Sequence, residues 1–395
     1  FRAIQGLGAG SLMPSTQTIA GDTFPLPERA RVQALFSSVW AVASVAGPPI
    51  GAGIAAFLGW RWAFYVNIPI GLAALYLVHS RLDEQVIRRK HHFDGLGTVT
   101  LLAAVGLFGY ALTEQPASHL VLALLLIGSI LAGAVFVAAE LHAAEPMLPL
   151  SLFRNRVLAM ADVGAFSLGG MVVGTSAFLP PFIQGVQGGS VLLAGSILTA
   201  MNVIWPIGSF VAGRLVLRAG YRVTGTMGGL IMLGGSSMLL AMRAGFGYPP
   251  LFLASAVLGM AFGFFTVTVM VSAQSAVPWE LRGSATSVTM FFRTLGGMVA
   301  LSIMGLLFNA RLTAELLRRG LPPADPSVAA SLLGGSGSGA AVLAGHVEIL
   351  QAALHDTYLV PLALSLVGLA AGIFMPGGKA EKHTWEAEPA SAVAG

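Results

Sequence analysis

The chain has 395 residues, 55% hydrophobic and 10% charged, against about 25% charged residues in a soluble globular domain. So few charges cannot cover a water-facing surface, which leaves lipid as the solvent for most of the chain. With no cysteine, disulfides, thiol catalysis and Cys-based zinc sites are excluded, and the net charge of +4 falls in short clusters between apolar runs rather than along a stripe for nucleic acid.

A spanning helix needs about 20 mostly apolar residues. Segments of that kind lie near 1–21, 32–57, 62–79, 96–113, 119–140, 157–179, 191–211, 223–242, 250–273, 284–308 and 354–375. The expected fold class is therefore an all-α polytopic membrane protein with eleven spans. The first run begins at Phe1 without the basic start or small-residue cleavage site of a signal peptide, and reads as a helix entered partway along. The 50 glycines suit helices packed closely in a bilayer.

Lys and Arg set the expected orientation. If the first span runs from outside to inside, the inner loops hold Arg29, Arg31, Arg81, Arg88, Arg89, Lys90, Arg154, Arg156, Arg214, Arg218, Arg222 and Arg282. The short outer loops hold Arg61 and Arg243, and the tail with Lys379 and Lys382 is then cytoplasmic. The segment 309–353, rich in Pro, Gly and Ser, reads as a flexible extracytoplasmic loop. His91 and His92 stand together in a charged loop, and no metal or cofactor site is expected.

Two stretches resemble each other. Gly6 and Gly8 in an apolar helix precede Pro27-Glu28-Arg29-Ala30, and Gly259 and Gly263 precede Pro278-Trp279-Glu280-Leu281-Arg282-Gly283. In both, a helix descends, a Pro-acid-Arg turn follows and another helix rises. Parallel repeats of this kind mark transporters built from two helical bundles.

Arg2-Ala3-Ile4-Gln5-Gly6-Leu7-Gly8-Ala9-Gly10 resembles the fourth-span motif of major facilitator drug exporters. Gly47-Pro48-Pro49-Ile50-Gly51-Ala52-Gly53 resembles the antiporter motif of their fifth span. Gly59-Trp60-Arg61-Trp62-Ala63-Phe64-Tyr65-Val66-Asn67-Ile68-Pro69-Ile70-Gly71 resembles a hallmark of the fourteen-span drug:proton antiporter branch, the EmrB/QacA-like exporters. The resemblance implies the major facilitator fold, two six-helix bundles plus an inserted helix pair. The eleven spans would be its fourth through fourteenth, with the first three missing.

On that layout 1–80 is the remainder of the N-terminal bundle and 81–93 a cytoplasmic linker. The inserted pair is 94–141, and 142–156 is a second linker. The C-terminal bundle is 157–375, and 376–395 the cytoplasmic tail. The membrane-embedded Asp of the family's first span, implicated in proton coupling, lies outside this chain. Gly213-Arg214-Leu215-Val216-Leu217-Arg218-Ala219-Gly220-Tyr221-Arg222 resembles the family's gating motif, but Leu217 stands where its first-bundle version has Asp, which implies a weaker charge latch.

A charge in an apolar helix persists where it faces a cavity or a partner. Arg2 is such a residue, and the resemblance implies a part in proton transfer; the competing reading is that it reaches to the outer surface. Gln5, on the same face, either binds substrate, holds Arg2 or makes an interhelical contact. Gly47, Pro48, Pro49, Gly51 and Gly53 would shape the bundle interface that seals when the protein faces inward, or serve generic helix packing. Asp162, the one acid in a clearly apolar span, suits a proton carrier, unless it is solvated or paired with an arginine near the inner surface. Arg293 would contact an anionic group, neutralise Asp162 or stabilise bundle contacts. Glu28, Arg29, Glu280 and Arg282, with Arg214 and Arg218, form either a cytoplasmic latch or simple positive-inside anchors. Trp60, Trp62 and Tyr65 suit an interfacial aromatic belt.

No Gly-x4-Gly-Lys-Ser/Thr loop is present, so ATP coupling has no support in the sequence. A charge moved through about 100 mV supplies roughly 2.3 kcal/mol, and a proton gradient is the expected source. The expected function is proton-coupled export of lipophilic drugs or related small molecules by alternating access, in a bacterial inner membrane, by a transporter rather than an enzyme. The alternatives are a dedicated exporter of one metabolite, such as a siderophore or self-made antibiotic, an inactive fragment, and a membrane scaffold. Expected partners are a small-molecule substrate, protons and the bilayer, without nucleic acid; a periplasmic adaptor is left open.

Overall fold

A computed structural model describes residues 2–59, 61–81, 94–114, 119–143, 146, 148–320 and 347–377. Among these residues the chain is helical, with no strand. The helices are α1 (Arg2–Thr23), α2 (Leu26–Phe57), α3 (Trp62–Tyr65), α4 (Asn67–Arg81), α5 (Gly95–Glu114), α6 (His119–His142), α7 (Arg156–Pro181), α8 (Val191–Ala241), α9 (Pro249–Ser275), α10 (Arg282–Arg318), α11 (Val347–Thr357) and α12 (Leu359–Phe374). Eight helical stretches are long and apolar enough to cross a membrane. Each of the eleven expected spans falls on a helix.

Helix α8 has 51 residues and would be about 75 Å long if straight, far more than the roughly 30 Å hydrocarbon core. It breaks at Gly220, whose φ of 83° and ψ of 176° suit glycine and few other residues, and so supplies two spans. The turn lies within the basic stretch Arg214 to Arg222. At α7 a side chain sets the helix start. The Asn155 carboxamide oxygen accepts from the Val157 and Leu158 amides at 3.0 and 3.4 Å, and its Nδ2 donates to the Ala276 carbonyl at 2.7 Å. That one cap fixes the start of α7 to the end of α9.

Helices α7 to α12 share one buried core. Among its close crossings are α7 on α10, where Gly169 lies against the Arg293 backbone and Gly296 against the Phe166 backbone, and α8 on α9, where Gly263 lies against the backbone of Trp205 and Ser209. The helix pair α5–α6 packs mainly on itself and touches this bundle where Gly109 faces Met298. Helices α3 and α4 bury no side chain and present an apolar surface suited to hydrocarbon or further apolar helices.

The repeat seen in the sequence has a structural counterpart. Pro25 before α2 (φ −65°, ψ 157°) and Pro278 before the short turn leading into α10 (φ −58°, ψ 161°) adopt the same conformation. The 253-residue offset between them also relates Arg29 to Arg282 and Gly21 to Gln274. Gly21 and Gln274 are in contact, so equivalent points of the two repeats meet at one end of the molecule.

The loop expected over 309–353 is shorter in the structure. Residues 309–318 continue α10, and 347–353 already belong to α11, because buried Leu312 and Leu316 find Ile349 and Leu350 to pack against. The last span likewise begins earlier than 354 and is interrupted at Tyr358. Residues 321–346, most of the 81–93 linker with His91 and His92, and the tail beyond 377 lie outside the described residues.

Candidate functional site

Asp162 lies on α7, six residues and about 9 Å along the axis from Arg156. It is 2% exposed, while Arg156 is exposed. Thr289 of α10 donates to Asp162 Oδ1 at 2.7 Å, and its hydroxyl also lies 3.0 Å from the Ala285 carbonyl. Asp162 Oδ2 is buried without a hydrogen-bond partner among the described residues. The carboxyl is thus neither solvated nor paired with arginine, which corrects one of the two expectations for it. The reason is geometric: α10 packs against α7, and Thr289 of α10 makes the contact at Asp162.

Arg293 stands one turn beyond Thr289 on α10. It does not neutralise Asp162. Its guanidinium carbon lies 5.8 Å from the centre of the Trp205 ring, a cation–π arrangement. The Trp205 indole donates to Thr266 at 3.1 Å and stacks edge-on against Phe262 at 5.4 Å, so the ring is held from two sides. The result is a half-buried cation against an aromatic wall, one turn from a buried carboxyl.

A second polar assembly joins α1 and α2 to α8, α9 and α10. Ser37 on α2 and Ser209 on α8 have their hydroxyls 3.0 Å apart. Gln33 donates to the Gln17 side chain at 2.6 Å, and Gln274 donates to the Gln17 carbonyl at 3.0 Å and lies 3.3 Å from Thr286. Arg282 approaches Asp22 at 3.9 Å. Buried Arg29 donates to the Phe24 carbonyl at 2.9 Å. The Asp22, Arg29, Arg282 and Gln17–Gln33–Gln274 contacts sit at the end of the molecule where the two repeats meet, and the Ser37–Ser209 contact lies deeper, beside Gly263 near the middle of α9.

Of the expected latch residues, Arg29 and Arg282 are in this seam. Glu28 is exposed, Arg218 is exposed and Arg214 lies over the Phe210 ring at 3.7 Å. The side chain of Glu280 lies outside the described residues. The acid that reaches across is Asp22, which sequence reasoning missed although it closes an apolar helix just before Pro25. Gln17, Gln33, Ser37, Ser209 and Gln274 were missed as well; polar residues in apolar runs were the available signal.

Arg2 opens α1, and its side chain lies outside the described residues. Gln5 is on an exposed face of α1. In the antiporter-like segment, Gly47 is exposed and Gly51 half-buried, and neither has an atom of another element close to where a Cβ would stand. The side chains of Pro48 and Pro49 and the surroundings of Gly53 lie outside the described residues. The Gln33–Ser37 turn of the same helix is in side-chain contact with the second bundle.

Apolar helices long enough to span a bilayer, joined through a polar seam and holding a buried carboxyl and a guanidinium in the interior, fit a multi-pass membrane transporter. A family model described as Major Facilitator Superfamily matches residues 1–301. The chain is 30% identical over 378 residues to the multidrug transporter protein MdtP of Bacillus subtilis (strain 168), across 94% of this chain and 68% of that protein. It is 30% identical over 407 residues to multidrug resistance protein 3 of the same organism, across 97% and 78%. To the multidrug efflux pump SdrM of Staphylococcus aureus (strain N315) it is 28% identical over 313 residues, across 78% and 68%. The chain belongs to the major facilitator superfamily.

Proposed function

We propose that the protein exports lipophilic small molecules, drugs among them, in exchange for protons, as a member of the fourteen-span branch with its C-terminus in the cytoplasm of a bacterial cell. The observation that carries this reading is Asp162, a carboxyl buried in the apolar interior with one hydrogen bond and one oxygen free. Such a group takes up and releases a proton when the surrounding helices move, and the change in charge favours one arrangement of the bundles over the other. The Asp22–Arg282 and Ser37–Ser209 contacts then belong to the state sealed on the cytoplasmic side. Opening that seal exposes the interior to cargo, and resealing it commits cargo to the outside.

The test is efflux of a lipophilic dye in inverted vesicles carrying the protein. An imposed pH gradient drives dye accumulation, and a protonophore abolishes it. Accumulation that persists without any gradient would sink proton coupling.

A second reading, a dedicated exporter of one metabolite, draws support from the name of one relative. The chain is 28% identical over 350 residues to the aspyridones efflux protein of Neocamarosporium betae. Protection of cells against one natural product, with no effect on unrelated dyes, favours this reading.

A further inference from the structure

Helix α10 outruns the bilayer. Its 37 residues rise about 55 Å, against a hydrocarbon core of roughly 30 Å. Past Phe308 the sequence turns polar, and the surplus turns pack beside α11 at the end opposite the Asp22–Arg282 seam. There a cleft of about 390 Å³ opens between α10, α11 and the turn after α8.

The carboxylates of the cleft already have cationic partners. Asp356 pairs with Arg311, and the His355 ring is 3.6 Å from its other oxygen. Glu315 lies 3.5 Å from Arg318 and 3.3 Å from Arg319, and Arg319 also reaches Glu348 at 2.9 Å. Arg311, Arg318 and Arg319 thus partner the three carboxylates, and the lining guanidinium without an ion pair among the described residues is that of Arg243.

Arg243 is held in place by its backbone. Its carbonyl accepts from Gln187 Nε2 at 2.7 Å, and the next amide donates to Gln351 of α11 at 3.0 Å. Tyr248 donates to the Gln187 carbonyl at 3.2 Å, which fixes the other side of the turn. The side chain lines the cleft with no ion-pair partner among the described residues. A guanidinium fork on a fixed backbone, itself without an ion-pair partner among the described residues, matches a singly charged oxyanion.

The level of the cleft narrows the chemistry. Arg311, Glu315 and Arg318 follow the apolar run 284–308 of α10, beyond the roughly 20 residues that cross hydrocarbon, which puts them at headgroup level. Phosphodiesters are the anions concentrated there. We propose that this cleft is a phosphate site centred on Arg243, filled by the phosphodiester of an anionic lipid headgroup or by a free phosphate ester.

The experiment uses the full chain, purified in a neutral detergent and titrated with phosphatidylglycerol, phosphatidylcholine or inorganic phosphate, with native mass spectrometry as the readout. Phosphatidylglycerol is expected to bind at least tenfold more tightly than phosphatidylcholine, Arg243→Ala to remove that preference, and Arg243→Lys to retain part of it. If millimolar inorganic phosphate displaces phosphatidylglycerol, the natural occupant is a soluble phosphate; if it does not, the occupant is lipid. Equal binding of the two lipids, or an undiminished preference in Arg243→Ala with the fold intact by circular dichroism, overturns the proposal. Arg243 is remote from Asp162 and the seam, so dye efflux in Arg243→Ala is a separate readout.

Discussion

At the residue scale, one hydrogen bond defines the candidate proton site. Thr289 satisfies one oxygen of Asp162 and leaves the other without a partner. Asp162→Asn keeps the size and the contact but cannot change charge. Its expected outcome is a loss of gradient-driven dye accumulation of at least tenfold in inverted vesicles, with normal insertion and expression. Thr289→Val keeps the shape and removes the donor, which leaves a buried carboxyl oxygen unsatisfied at a cost of about 1–3 kcal/mol. A lowered Tm in detergent, partly restored in Thr289→Ser, is the check. Asp162 was legible in the sequence because an acid in an apolar run has few reasons to be there. Thr289 was not, because it lies 127 positions away and a threonine in an apolar helix is ordinary.

At the element scale, α2 is divided. Gln33 and Ser37 make side-chain contacts with the second bundle, while Gly47 and Gly51 have no atom of another element close to where a Cβ would stand. A helix tied by polar contacts in its first turns is suited to rocking about them. The chain has no cysteine, so a designed pair reports this directly. Ser37 and Ser209 have their hydroxyls 3.0 Å apart, close enough for a disulfide after substitution. In Ser37→Cys/Ser209→Cys, mild oxidation is expected to form the bond and stop efflux, and a reductant to restore it. A bond that forms without slowing efflux would show that the seam does not open during transport. The glycine- and proline-rich segment of α2 was conspicuous in the sequence, yet the seam lies about three turns before it. Sequence reveals which stretches allow close approach, not which state of the protein brings them together.

At the scale of the whole molecule, the two repeats place Arg29 and Arg282 at equivalent positions, and the pair is held near Asp22. An ion pair at 3.9 Å, partly open to water, contributes about 1 kcal/mol or less. Its loss shifts the sealed population by about fivefold at most. Asp22→Arg or Arg282→Asp alone is therefore expected to slow efflux several-fold, and the double exchange to recover much of it. Equal defects in the single and double variants would argue that other contacts of the seam dominate. The latch was half legible: Arg29 and Arg282 stood out beside their prolines, and Asp22 did not.

The sequence by itself determined the all-helical membrane architecture and the superfamily. Each of these follows from local rules: apolar length, the absence of charge, and glycine and proline at set spacings. Tertiary structure alone decided that Asp162 meets Thr289 rather than Arg156 and that Asp22 rather than Glu28 faces Arg282. It also decided that α10 and α11 enclose a charged cleft where a loop was expected. These pairings depend on how helices far apart in the chain cross, and a crossing is set by the summed packing of many small residues that no single stretch of sequence displays.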